Sequence, residues 1–262
     1  MGKAAARIAM AASIVMGASF SASAQETEYY RVESGTGFFV NREFIITNAH
    51  VVKGCESVVI NGAVPEQNAE VTVHDDERDL ALIRANQEPP EFAPMRMDID
   101  KLREGDKVLV IGYPGAKGRE GHYTVAQAQV MKLDTGIIGA PGQFYITDIV
   151  EHGNSGGPVL DTSGNVIGVV VSKVTLGHVN PVTGAMLSEE HAGGVITLKA
   201  LQQFLFDHGV FTQWSGSGLL LFSDEFLESR AKNYLVNVQC RIKQEGAHMS
   251  FPGDAPELQG AP

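Results

Sequence analysis

Short apolar stretches recur about every 8 to 15 residues between residue 28 and about 200, separated by Gly, Pro, Asn or Asp. Valine, isoleucine and glycine dominate them. The pattern predicts strands at Gly37–Val40, Phe44–Thr47, Ser57–Ile60, Val71–His74 and Leu80–Arg84. It predicts more at Lys107–Ile111, Val125–Leu133, Gln143–Ile146, Val159–Leu160, Val166–Val174 and Gly194–Thr197. Many short strands with turn signals between them argue for a sandwich or a barrel. Asp161-Thr-Ser-Gly164-Asn165 reads as a hairpin turn, and Glu88 to Asp100, with three prolines, as a connecting loop. Lys117–Tyr123 and Thr175–Gly193 are glycine-rich and polar, and read as mobile loops.

The period changes late in the chain. From Thr197 to about His208 the apolar residues are Leu198, Leu201, Phe204 and Leu205, a helical spacing that Gly209 should end. A second helix is predicted from Ser223, its N-cap, to about Tyr234. Leu235–Ile242 then alternates like a strand, and Gly246–Pro262 is a polar, Gly- and Pro-rich tail expected to be disordered.

The first 24 residues have a different logic. Lys3 and Arg7 precede an apolar run, Ile8–Phe20, too short to span a bilayer comfortably, and Ala22-Ser23-Ala24 is a small-residue cleavage site. This reads as a signal peptide of an exported protein, periplasmic or secreted, with no stable membrane anchor. Its removal takes Lys3 and Arg7 and lowers the formal net charge from −11 to −13. Such an acidic chain repels phosphate, so a nucleic-acid partner is not expected. The only two cysteines are Cys55 and Cys240. In an oxidising compartment a Cys55–Cys240 bond would staple the C-terminal region to the first part of the chain; two buried free thiols are the other reading.

The candidate chemistry lies in Glu151-His-Gly-Asn-Ser-Gly-Gly-Pro158. Glycines flanking Ser155 allow a sharp, exposed turn. The amides around it, at Gly153, Asn154 and Ser155, are the candidate oxyanion hole, with Gly153 and Ser155 as the paired donors. A serine nucleophile needs a base, and the base needs an orienting acid. His50 follows the apolar run Phe44–Thr47, and Asp79 directly precedes the alternating run Leu80–Arg84. His50, Asp79 and Ser155 stand in the order of the chymotrypsin-type triad. Gly153-Asn-Ser155-Gly-Gly157 also satisfies the Gly-x-Ser-x-Gly pattern of α/β-hydrolases, but strands rather than a helix follow it. No His-Glu-x-x-His or other metal-ligand cluster is present, and neither metal nor cofactor is called for.

Four motifs in register carry a resemblance: Thr47-Asn-Ala-His-Val-Val52, Asp79-Leu-Ala-Leu-Ile83, Gly105 to Pro114, and Gly153-Asn-Ser-Gly-Gly-Pro158. Together they resemble a trypsin-like peptidase, and more narrowly the protease domain of bacterial HtrA/Deg proteases, over roughly residues 30–208. The resemblance implies an all-β fold of two packed six-stranded Greek-key barrels, with His50 and Asp79 on the first and Ser155 on the second. The implied layout is a protease domain at 25–208, its barrels near 28–115 and 122–200. A helix-strand extension at 209–245 would pack on the barrels. The stretch after His208 is too short for the PDZ domain of that family.

The implied function is a serine endopeptidase acting on proteins or peptides. The alternative is a catalytically silent binding or chaperone-like module of the same fold. Asn154 stands where zymogen-activated trypsins carry an aspartate, so activation by a newly cut N-terminus is not expected. Ile149 and Val150 should line the primary pocket, with Val171, Ser172 and Lys173 pairing with substrate backbone. This apolar wall suggests small or medium apolar side chains at the cleaved position. The family also rests in some members with a collapsed oxyanion hole, which flanking glycines would permit here by a flip of the Gly153 peptide.

Overall fold

The computed structural model describes residues 29–98, 101–133, 142–180, 182–216 and 221–244. The expected leader at 1–24 and the expected disordered tail at 246–262 lie outside them. The fold is all-β, with two closed rings of six strands.

The first ring comprises β1 (Tyr30–Phe39), β2 (Phe44–Thr47), β3 (Ser57–Gly62), β4 (Gln67–Asp75), β5 (Leu80–Arg84) and β14 (Leu235–Lys243), in the order β1-β14-β3-β4-β5-β2. β1 pairs β2 to close it. The second ring comprises β7 (Lys107–Gly112), β8 (Thr124–Lys132), β9 (Gln143–Thr147), β10 (Pro158–Asp161), β11 (Val166–Val179) and β12 (Met186–Thr197). Their order is β10-β7-β8-β9-β12-β11, with β10 pairing β11 to close the ring. Two short strands, β6 (Met95–Arg96) and β13 (Trp214–Ser215), add in parallel beside β11.

Two expectations about organisation change. The C-terminal strand is not an extension packed on the barrels. It is a wall of the first one, antiparallel to β1 from Tyr30↔Lys243 to Phe38↔Leu235 and to β3 from Ser57↔Arg241 to Gly62↔Val236. Residues 30–84 supply only five strands, and five leave β1 and β3 with open edges; β14 removes both. The second change is β7, which falls within the expected first barrel but belongs to the second.

The period of two along β7 explains its position. Leu109 and Ile111 pack into the larger buried cluster, with Phe38, Ile45 and Leu82. Val108 and Val110 pack into a smaller one with Phe144, Ile146 and Val195. Each such side chain contributes about 1.5–3 kcal/mol by burial, so a strand apolar on both faces settles where two cores meet.

The two longer helices form where their spacing predicts. α2 (Leu198–Asp207) buries Leu198, Leu201, Phe204 and Leu205, and its N-cap Thr197 accepts from Ala200 N–H. Gly209, at φ +67°, ends it, with the Val210 amide donating back to Leu205. α3 (Asp224–Ala231) starts at Ser223, whose Oγ accepts from Phe226 N–H. A short helix, α1 (Gly115–Arg119), was not expected from a segment with glycine at both 115 and 118. The Asp161 turn is as predicted: Asp161 Oδ1 accepts from Ser163 and Asn165 amides, and Gly164 has φ +78°. Its carboxylate is buried beside Arg96, at 3.7 Å.

Cys55 and Cys240 are joined by a disulfide spanning 185 residues of sequence. Cys240 is fully buried on β14, and Cys55 lies five residues after His50. The bond therefore ties the last strand of the first barrel to the loop that carries the histidine. Paired Cys55→Ser and Cys240→Ser substitution is expected to cost about 2–5 kcal/mol, as loss of a native disulfide usually does. Denaturant unfolding of the double variant against the parent measures it; equal midpoints would contradict it.

Candidate active site

Each candidate group sits where a strand ends. β2 ends at Thr47, and Asn48–Val52 turn immediately, held by Val51 N–H to Asn48 carbonyl and Val52 N–H to Ala49 carbonyl bonds. His50 stands at the apex of this turn. Asp79 ends the turn before β5 at φ +54°, and it is the one non-glycine residue at positive φ among the described residues. Aspartate tolerates this left-handed region better than most residues, yet it is still strained. The surroundings hold it: the buried Asn48 donates its side-chain amide to the Asp79 carbonyl at 2.9 Å. Strain of this kind concentrates where a side chain must be aimed.

The aim is visible in the contacts. Asp79 Oδ1 accepts from the His50 backbone amide at 3.0 Å, and Oδ2 lies 2.8 Å from the ring Nδ1. A carboxylate at Nδ1 favours the tautomer protonated there and leaves Nε2 as the free base. The Asp79 side chain is 24% exposed and that of His50 47%, so the acid is shielded while the base is open to the cleft. His50 and Ser155 line one cleft of about 380 Å³, together with Val32, Glu33, Arg119 and Gly153. The structure thus brings together all three candidate residues, from both barrels.

The loop before β10 shapes the space beside Ser155. Gly153 has φ +100°, and a Cβ there would lie 2.3 Å from the Tyr113 carbonyl oxygen. The His152 carbonyl accepts from Gly115 N–H at 2.7 Å, just where α1 begins. A trans peptide points its C=O and N–H in opposite directions. The His152 oxygen is thus held by Gly115, and the Gly153 N–H is turned away from it. Of the three amides considered from sequence, Asn154 drops out, because its N–H donates to the Glu151 carbonyl at 3.1 Å. Gly153 and Ser155 remain.

Thr36 on β1 was not singled out from sequence, and it holds this loop. Fully buried, it donates its hydroxyl to the Gly153 carbonyl at 2.6 Å and accepts from the Tyr113 amide at 2.9 Å. Its own amide donates to the Ser155 carbonyl at 2.8 Å. The only signal in the sequence is a polar residue between two glycines at the start of an apolar run. The Tyr113 side chain points into the first barrel, where burial pushes its hydroxyl, close to Gly62, up to about 12, so it is neutral.

On the other side of Ser155 lies a cavity of about 640 Å³ lined by Val150, Ser172, Lys173, Thr175 and His191, among others. Val150 lines it as the sequence reading expects, and Ser172 and Lys173 also reach it. Ile149 does not: it packs against the smaller core. The Val171 side chain packs against the larger core, which leaves its backbone free of that contact. The apolar wall is thus reduced to Val150. Lys173 is drawn to Asp148, at 2.6 Å, and Thr175 Oγ1 lies 3.2 Å from His191 Nδ1. The lining is more polar than expected, and His191 and Thr175 reach it only because Thr175–Gly193 is a paired hairpin rather than a loose loop.

Residues 35–169 match the family described as "Trypsin-like peptidase domain". This chain belongs to that family. The trypsin-like peptidase is 30% identical to "Serine protease Rv3671c" of Mycobacterium tuberculosis over 176 residues, which are 64% of this chain and 40% of that protein. It is 36% identical to "Probable periplasmic serine endoprotease DegP-like" of Bartonella henselae over 138 residues, 52% of this chain and 27% of the relative. An uncharacterized protein of Sinorhizobium fredii is 31% identical over 213 residues, 79% of this chain and 32% of that one. The chain therefore spans between about a quarter and two fifths of the length of these curated relatives. Among solved structures, the crystal structure of the active form of the Rv3671c protease has a TM-score of 0.52 at 28% identity. That match covers 71% of this chain and 78% of the other.

Proposed function

We propose that this trypsin-like peptidase is an exported serine endopeptidase that cleaves proteins or peptides through His50, Asp79 and Ser155. One observation carries the reading: the Asp79–His50 pair opens onto the same cleft as Ser155.

Ser155 Oγ attacks the scissile carbonyl as its proton passes to His50 Nε2. Asp79 stabilises the imidazolium that forms. The carbonyl oxygen becomes an oxyanion and takes hydrogen bonds from the Gly153 and Ser155 amides. Collapse of the tetrahedral species breaks the C–N bond, and His50 gives its proton to the leaving amine. Water, deprotonated by His50, then hydrolyses the acyl-serine ester and restores Ser155. Export rests on the leader-like segment at 1–24 and suits the disulfide.

A fluorophosphonate probe followed by peptide mapping tests the reading. Labelling is expected at Ser155 and nowhere else, and it should be lost in His50→Ala. A chain that folds but takes no label favours the silent binding module.

A further inference from the structure

β1 and β14 are paired so that Thr36 faces Asn237. Both are fully buried polar residues, and the neighbours of Asn237 on its strand, Val236 and Val238, belong to the larger core. Thr36 holds the Gly153 carbonyl. Asn237 donates its side-chain amide to the Gly118 carbonyl of α1 at 2.7 Å. One facing pair on the first barrel thus grips both the Ser155 loop and the helix beside it.

Five residues are far too few for a helix to be stable alone, and Gly118 is the one buried residue of α1. No side chain caps its start. Gln239, two residues along β14 from Asn237, reaches the Arg119 carbonyl at 3.4 Å, and that contact is exposed. With no apolar side chain buried, α1 is seated by hydrogen bonds and by the close fit of Gly118, where a Cβ would run into the Tyr113 carbonyl.

The start of α1 touches the site. Gly115, its first residue, donates to the His152 carbonyl at 2.7 Å. A Cβ on Gly153 would lie 3.0 Å from Pro114 Cα and 3.1 Å from Gly115 N, so the two segments are in direct contact. The His152–Gly153 peptide carries an amide that the proposed mechanism directs at the oxyanion. Hydrogen bonds therefore run from β14 through α1 to that peptide, while Thr36 fixes the next peptide along. Such donors act by being in place before the reaction, and a misplacement of about 1 Å costs on the order of a hundredfold in rate.

Asn237 is a poor choice for stability alone. Its Oδ1 is buried with no hydrogen-bond partner among the described residues, which is costly. The Gly118 carbonyl does not depend on it, since it also accepts from the Gly121 amide at 2.9 Å. An apolar side chain of the same shape would serve the barrel as well or better. Asn237 also lies beyond residues 35–169, which match the family. The geometry points to Asn237 as a positioning residue for the proposed hydrolysis: through α1 it sets the orientation of the Gly153 amide, so that β14, the strand that closes the first barrel, controls the rate of the chemical step. This rests on the peptidase reading above and deepens it.

Kinetics of Asn237→Leu, which keeps the branched shape and removes the donor, test it. kcat on a peptide substrate is expected to fall about tenfold to a hundredfold, with KM within about twofold of the parent. The unfolding midpoint should be unchanged or higher. A peptide aldehyde, whose adduct with Ser155 carries an oxyanion, should bind more weakly by about the factor that kcat/KM loses. Gly118→Ala, which lifts α1 at the other end of the same bond, should show the same split between kcat and KM. If Asn237→Leu does not fold, Asn237→Ser decides the matter, since its hydroxyl is too short to reach Gly118. A kcat for these variants within about twofold of the parent overturns the inference. So does a rise in KM at constant kcat, which would make α1 only a wall of the cleft. A loss of kcat without loss of aldehyde affinity would put the effect at His50, and also overturns it. In each of these cases the parent still labels at Ser155. A parent that neither labels nor cleaves overturns the peptidase reading and this inference with it.

Discussion

Replacing Ser155 with alanine is expected to lower kcat by about a million-fold while leaving the unfolding midpoint within experimental error. The side chain is half-buried and lines a cleft, so removing its hydroxyl opens no cavity and strands no buried partner. Asp79→Asn gives a graded companion result, a loss of about ten-thousand-fold. An amide in place of the carboxylate can no longer favour the Nδ1-protonated tautomer of His50, though it occupies the same space. It keeps an oxygen able to accept from the His50 backbone amide, so the turn itself should survive. Initial rates on a casein-type substrate, with circular dichroism to confirm folding, measure both. Substantial cleavage by Ser155→Ala would remove that residue from the reaction. Equal rates for Asp79→Asn and the parent would make the Asp79–His50 pair structural.

Gly156→Ala should damage stability heavily, at about 3 kcal/mol or more. Gly156 has φ +84°, which L side chains rarely adopt. An added Cβ would lie 2.2 Å from the Thr36 carbonyl oxygen, 2.3 Å from Thr47 Oγ1 and 2.9 Å from the Asn48 amide nitrogen. All three belong to the first barrel, whereas Gly156 belongs to the loop entering β10 of the second. None is the far end of a flexible chain, and Thr47 Oγ1 is itself held to the Thr36 carbonyl at 2.7 Å. The methyl would therefore push the barrels apart at the seam that aligns Ser155 with His50. Denaturant unfolding should show the loss, with activity falling alongside. Gly54→Ala is the control for φ alone: Gly54 has φ +72° and open space around it, so it should cost much less. Similar midpoints for the two variants would exclude the clash.

Much of the fold could be read from periodicity. β2, β5 and the core of β3 are short, nearly continuous apolar runs bounded by turn residues, and α2 and α3 carry a 3–4 spacing with caps at Thr197 and Ser223. The proposed triad was legible for a similar reason: His50, Asp79 and Ser155 each sit in a local motif whose order along the chain has meaning. What failed was whatever depended on a distant partner. Thr175–Gly193 looks like a loop because its glycines and polar residues have no apolar alternation, yet each half supplies the other with backbone partners. Ile149 is the apolar neighbour of the lining residue Val150, and only the packing of the smaller core decides which of the two faces the cavity.

The amino-acid order alone established an all-β chain, two late helices, a cysteine pair and a serine in a glycine turn with a histidine and an aspartate to serve it. These are properties of short windows, where φ/ψ preferences and burial of alternate residues suffice. The folded chain alone decided that the first barrel is closed by its last strand, Leu235–Lys243, 151 residues beyond β5. It alone decided that Thr36 grips the loop of Ser155 from the other barrel. Both are contacts between residues far apart in sequence, specified by which edges and hydroxyls would otherwise be left unpaired, and no local window holds that information. The glycine turn at Ser155 needed both: its residues allow the conformation, and Thr36 and Gly115 select it.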